Sequence, residues 1–184
     1  MKPTIIVDGR ADIAILRAVL PPILAEACQF AGAEGRSTLV SLARTFLIKY
    51  HAPSAIVMDT DTMDPTTIAE TVRASRHLIA AVAGETPFEV VYCIPEIETI
   101  FFDGVVNLQR IFPDFENCFF LPFASTQPKQ QFELLLRDGG GPKTLSDFLD
   151  QLTTSDVEKL QRTYPIRQLS AFIRTVTGNT EKPA

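Results

Sequence analysis

The sequence predicts an α/β fold: a mostly parallel four-stranded sheet flanked by helices, followed by a helical C-terminal extension. Short apolar or β-branched runs closed by Asp, Gly or Pro alternate with segments of helical periodicity. Their order, β-α-β-α-β-α-β-α, is that of parallel strands joined by crossover helices. Beyond Phe112 the texture changes to short, mainly helical segments. At 184 residues, 46% hydrophobic and 21% charged, the chain has the composition of a globular protein long enough to bury one sizeable core.

The elements follow in order. TIIVDG (Thr4–Gly9) is a strand ended by an Asp-Gly turn. In ADIAILRAVLPPILAEA, Ile13, Leu16, Val19 and Leu20 recur at helical spacing, with Asp12 a cap or first-turn charge, and Pro21-Pro22 ends or restarts the helix. CQFAG is a short second strand. The AEGRS loop follows, with Ser37 expected to cap the helix TLVSLARTFLIKY. SAIVMD is the third strand, and DPTTIAETVRASRHLIAAVA is a helix with Asp64 as N-cap and Pro65 in its first position. FEVVYCI is the fourth strand, after which Pro95 is expected to open the helix PEIETIFFDGVV.

In the extension NCFFLPFAS reads as a last short strand. PKQQFELLLRDGGG, TLSDFLDQL and SDVEKLQRTYPIRQLSAFIRTV read as helices, the last broken at Pro165, with Gly139–Gly141 a helix cap and turn. These readings divide the chain into an α/β core at 1–112, a strand-plus-helix extension packed on it at 113–178, and a flexible tail at 179–184.

Several function classes are disfavoured. Cys28, Cys93 and Cys118 are odd in number, far apart and without a CxxC spacing, which argues against a disulfide framework or a thiolate zinc site. His51 and His77 offer little to a Ser-His-Asp or Cys-His mechanism. The apolar run near the N-terminus is too short for a signal peptide, and no window resembles a membrane span, so a cytoplasmic protein without membrane contact is expected. A net charge of −5 argues modestly against tight, metal-free binding of nucleic acid but is compatible with a site that meets phosphates through a metal.

The acidic residues are placed in a pattern. Asp8 ends the first strand, Asp59 and Asp61 end the third, and Glu96 and Glu98 lie just past the fourth. In parallel sheets the ligand crevice lies outside the carboxyl ends of the strands, and adjacent strands are about 4.8 Å apart. Neighbouring strands would therefore bring these carboxylates to one edge. There they repel, raise one another's pKa and are relieved by a cation. An all-oxygen set suits Mg²⁺ or Mn²⁺. The structural alternative is a turn Asp at each strand end.

IIVDGRADIAILRAVL and AIVMDTDT resemble the two signature elements of TOPRIM (topoisomerase–primase) domains, an acidic residue plus glycine after the first strand and a DxD after a later one. The resemblance spans residues 3–102 and is strongest to the TOPRIM domains of OLD (overcoming lysogenization defect) nucleases and small stand-alone TOPRIM-like proteins. IPEIETIFF matches their Pro-x-x-Glu segment at Glu98, and PKQQFELLL offers Lys129 for their C-terminal lysine. The resemblance implies a Rossmannoid TOPRIM-like sheet and Mg²⁺-dependent hydrolysis of phosphodiesters, DNA in preference to RNA, in a phage-defence or repair setting.

On that resemblance, Asp59 and Asp61 hold Mg²⁺, and Asp8 completes the site or acts as general base. Glu98, with Glu96, helps hold a second ion, and Lys129 neutralises the scissile phosphate. Arg10 and the helix start at Ser37 are candidate phosphate contacts. The absence of an ATPase motif suggests an ATPase or other protein partner, and a homo-oligomer is a further expectation. The family's first acid is usually Glu; Asp8 sets the carboxylate back by about 1.5 Å, and a shift on that scale costs about 100-fold in rate. Three readings therefore stand open: a metal-dependent nuclease, a catalytically inactive binding or scaffold protein, and a receiver-like signalling module phosphorylated on Asp59.

Overall fold

The computed structural model describes residues 2–33, 35–103 and 106–178, with the backbone alone at Arg36. Strands β1 (Thr4–Val7), β2 (Gln29–Gly32), β3 (Ser54–Asp59) and β4 (Phe88–Cys93) form one sheet in the order β2-β1-β3-β4, and every pairing is parallel. Ile6 lies opposite Ile56, and Asp59 opposite Cys93. Side chains alternate between the sheet's faces, and helices cover both. Ile5, Val7, Ala55, Val57 and Val91 enter one core; Ile6, Ile56, Met58, Val90 and Tyr92 enter the other. Burial on both faces is why β1 and β3 read as apolar runs.

Helix α1 (Arg10–Val19) packs Ile15, Leu16 and Val19 into the first core. The proline pair ends it, and α2 (Pro22–Ala27) restarts with Pro22 in its first turn. The other core is closed by α3 (Arg36–Tyr50) through Leu39, Ala43 and Leu47, and by α4 (Pro65–Ala83) through Ile79 and Ala83. Asp64 caps α4 as expected, its Oδ2 accepting the Thr67 N–H at 2.7 Å. Strands β1 and β3 are neighbours, yet the helices that follow them, α1 and α4, cover opposite faces. Their carboxyl ends therefore flank a topological switch point, where open α/β sheets leave a crevice.

The C-terminal elements are α5 (Thr99–Phe102), α6 (Leu108–Ile111), α7 (Phe115–Cys118), α8 (Leu121–Thr126), α9 (Pro128–Asp138), α10 (Leu145–Leu149), α11 (Thr154–Leu160) and α12 (Tyr164–Thr177). Buried or partly buried apolar side chains of every one of these helices but α8 belong to the same core as Ile5 and Leu16. Phe101 packs on Phe132 and Phe148 with ring centroids 5.2 and 5.0 Å apart, an arrangement favourable beyond burial alone.

Local structure departs from the sequence reading at several points. The stretch expected as a last strand forms the end of α7 and most of α8, because Pro122 cannot donate to a ladder but suits a helix's first turn. Phe119 instead stacks on Phe115 and Phe102. Pro95 does not open a helix. Its carbonyl accepts the N–H groups of Thr60 and Asp61 at 2.9 and 3.0 Å, and α5 begins only at Thr99. Ser37 is not a cap: Gly35, at φ +98°, holds that position, and Ser37 is an exposed first-turn residue. The break before α12 falls ahead of Pro165, which sits in that helix's first turn. Gly139 caps α9, and a Cβ on Gly141 would collide with the Ile111 carbonyl, so this glycine run is a close backbone approach. The expected tail at 179–184, Gly104 and Val105 of the Pro95 segment and Glu34 of the AEGRS loop lie outside the described residues. No helix among the described residues is long and apolar enough to cross a membrane.

Candidate active site

The switch point gathers acidic side chains from three adjacent strand ends. After β1 the chain turns through Asp8 and Gly9 into α1. Asp12, in the first turn of α1, accepts the Gly9 N–H through Oδ2 at 3.0 Å, which fixes its carboxylate over that turn. Beside it, β3 ends in Asp59. The Thr60 N–H donates to the carbonyls of Cys93 and Pro95 at 3.0 and 2.9 Å, and the Asp61 N–H to Pro95 at 3.0 Å. These bonds clamp the turn after β3 onto the turn after β4. Asp61 takes φ +53°, a left-handed conformation that aspartate tolerates better than most residues.

Past β4, Glu98 is 5% exposed, and its Oε2 has no hydrogen-bond partner among the described residues. Glu96 turns toward α9, its Oε2 accepting the backbone N–H of Lys129 at 2.9 Å. That places the Lys129 side chain within the electrostatic reach of Glu98, Asp12, Glu96 and Asp59.

The electrostatics are those of crowded carboxylates. Burial pushes the Asp59 carboxyl up to about 8, and the charges of Asp12, Glu98, Asp61 and Glu96 push the same way. Glu98 rises to about 7, chiefly through burial, with Lys129 opposing. Burial also raises Asp12, against the pull of the Gly9 amide and Lys129. Partial burial would lower the Lys129 ammonium, but the surrounding carboxylates outweigh it and hold its pKa above the usual value. Cys93 beneath them is raised well above an ordinary thiol by burial first and then by Asp59, and Cys28 reaches about 11 by burial, which makes both inert thiols.

No family model matches the chain, and no curated protein matches it. Among solved structures, it is similar to the C-terminal region of the OLD protein of Xanthomonas campestris pv. campestris. The TM-score is 0.58 at 15% identity, over 97% of this chain and 96% of that one. The likeness is one of fold.

The expected site residues separate into groups. Asp59, Glu98, Glu96, Asp61 and Lys129 interact within one cluster. Asp8 lies at the same edge, but its Oδ1 accepts the Gly35 N–H at 2.6 Å. Arg10 is an exposed residue opening α1. Asp12, which the sequence alone marks as a helix cap or first-turn charge, couples to Asp59, Glu98 and Lys129. Its signal was available: in DGRAD the second acid falls in the first turn of a helix that springs from the strand's carboxyl end.

Among the described residues, no three acidic, thiol or imidazole groups are drawn together as a ready-made ligand set. Mg²⁺, however, is commonly held by one or two carboxylates with water filling the other positions. An all-oxygen donor set, with a buried Glu98 oxygen left without a partner, fits that mode of binding.

Proposed function

We propose that this protein is a TOPRIM-like, Mg²⁺- or Mn²⁺-dependent phosphodiester hydrolase acting on nucleic acid, DNA in preference to RNA. The observation that carries the reading is the unpartnered, buried Glu98 Oε2 beside Asp59 and Asp12, with Lys129 facing the same edge. Carboxylates so placed repel one another unless protons or a divalent ion neutralise them. The fold shared with the C-terminal region of an OLD protein supports it, as do the DG and DxD motifs at Asp8 and Asp59–Asp61.

Asp59 and Glu98, with Asp12, are the residues that would hold the ion. When bound, the ion supplies Lewis-acid polarisation of a phosphodiester oxygen. Lys129 offsets negative charge on the phosphate and lowers the repulsion an incoming backbone meets at this edge. Glu96 orients α9, and thereby Lys129, through the amide it accepts. Asp8 and Glu96 would complete the polar rim. An ATPase or other protein partner, assembly as a homo-oligomer and a role in phage defence or repair belong to the same proposal.

The Asp8–Gly35 bond favours a second reading, a nucleic-acid-binding protein of the same fold without catalysis, since it engages the first acid of the motif. Incubation of plasmid, single-stranded DNA and RNA with Mg²⁺ or Mn²⁺ separates the two. Cleavage by wild type that disappears in Asp59→Ala/Glu98→Ala supports the hydrolase. Binding without cleavage in either metal supports the second reading. Neither cleavage nor binding, with no metal-dependent change in melting temperature, overturns both.

A further inference from the structure

A cavity of about 300 Å³ opens between the end of β4 and the start of α12, its walls including Cys93, Ile94, Glu96, Asp103, Tyr164 and Pro165. This volume is at the lower end of the range for small-ligand pockets, about 300–1,000 Å³. It adjoins the carboxylate cluster. Cys93 stands opposite Asp59 in the sheet register, and Glu96 belongs to both the cavity and the cluster.

Two features of its lining restrict what fits. Tyr164 is 58% exposed and Ile94 42% exposed, so apolar surface is left to solvent at this mouth. Helix α12 packs through Ile166, Leu169 and Ile173, and does not need the Tyr164 ring for its core. Against that ring the cavity sets two carboxylates, Glu96 and Asp103, which repel a phosphate and, when ionised, offer only acceptors. A planar, uncharged ligand with amino N–H donors satisfies both features. Adenine, guanine and cytosine carry such groups, and carboxylates read the cytosine amino group in this way. Bases also stack on exposed aromatic rings.

Resting on the phosphodiester reading above for the phosphate next door, we propose that this cavity is a base subsite. It takes an unpaired, amino-bearing base of a single strand, stacked on Tyr164 and adjacent to the phosphodiester at the Asp59–Glu98 edge. A base inside a duplex has its faces and pairing edge occupied, so the substrate enters single-stranded or locally opened.

The test is fluorescence anisotropy with labelled short oligo-dC, oligo-dA, oligo-dT and a duplex, in Ca²⁺, beside cleavage assays in Mg²⁺. Wild type should bind oligo-dC and oligo-dA more tightly than oligo-dT or duplex. Tyr164→Ala should weaken single-strand binding by about tenfold or more at an unchanged melting temperature, and Tyr164→Phe should restore it. Asp103→Asn should erase the preference for oligo-dC over oligo-dT. Single-strand binding by Tyr164→Ala equal to wild type, or no single-strand binding by wild type, overturns the base subsite. Tyr164-dependent binding without any cleavage leaves the subsite standing and removes the hydrolase reading. Cleavage and binding both indifferent to Tyr164 do the reverse.

Discussion

The backbone N–H of Lys129 donates to Glu96 Oε2 at 2.9 Å, joining the first turn of α9 to the loop after β4. A carboxylate is favoured at a helix N-terminus, where free N–H groups and the helix dipole meet it. The bond holds Lys129 beside the carboxylate cluster, where its charge opposes the rise of Asp12 and Glu98 and is itself stabilised by Glu98, Asp12, Glu96 and Asp59. Lys129→Ala is therefore expected to lower Mg²⁺-dependent cleavage by about 10²–10³-fold, the usual loss when one charge-stabilising group is removed. Lys129→Arg should retain part of the rate, since the charge remains. Gel-based cleavage rates check this, and full activity in the alanine variant would take Lys129 out of the site.

Stability without metal should decline toward alkaline pH. The carboxyls of Asp59 and Glu98 lie at about 8 and about 7 in the fold, against about 4 for an unperturbed acid. Between those values the folded state keeps protons that the unfolded chain has released, so their contribution favours folding at low pH and is lost as pH rises through the folded pKa. Melting temperature measured in EDTA should fall from about pH 5 to about pH 8. Asp59→Asn should flatten that fall and melt higher than wild type at its alkaline end. A profile that is flat in wild type, or unchanged by the substitution, speaks against a crowded, buried carboxylate pair.

Mg²⁺ should reverse the same loss. A ligand that binds only the folded state stabilises it by about 2.7 kcal/mol at 100 times its dissociation constant. Protons compete for the same oxygens, so the rise in melting temperature should be larger near pH 8 than near pH 5. Asp59→Asn/Glu98→Gln should abolish it while leaving the fold intact. Differential scanning fluorimetry over a Mg²⁺ series reads this directly. An equal shift in wild type and variant would locate the ion elsewhere.

Much of the fold is legible in local chemistry. Pro21-Pro22 divides α1 from α2, and Asp64-Pro65 starts α4, because cap and first-turn preferences act within a few residues. Where non-local contacts decide, the local pattern misleads. NCFFLPFAS has the apolar density of a strand, and a short apolar run does not distinguish strand from buried helix. Its outcome follows from Phe102 and Phe115, which offer Phe119 stacking partners, and from Pro122. Pro95 was similarly diverted from a helix start, by the Thr60 and Asp61 amides that its carbonyl accepts. At the site, the acids after β1, β3 and β4 were visible as strand-end residues. Their adjacency depends on the strand order, which periodicity does not encode.

Asp12 and Asp8 offer the sharpest separation between local structure and site chemistry. Both flank the first turn and the Asp8 charge helps raise Asp12, but Asp8 Oδ1 is held by the Gly35 N–H at 2.6 Å, while Asp12 couples to Asp59, Glu98 and Lys129. Asp12→Asn keeps an acceptor for the Gly9 amide and deletes one negative charge. It should raise the metal-free melting temperature near pH 8, since it relieves Asp59, and lower cleavage by about 100-fold or more, as expected for a displaced or missing charged group at a reacting centre. Asp8→Asn also keeps an acceptor, for the Gly35 amide, and should cost cleavage far less. Parallel rates and melting curves for the two variants decide the matter. A larger loss of rate in Asp8→Asn would return the first acid of the motif to the centre of the site and reduce Asp12 to the helix-start charge that its position alone suggests.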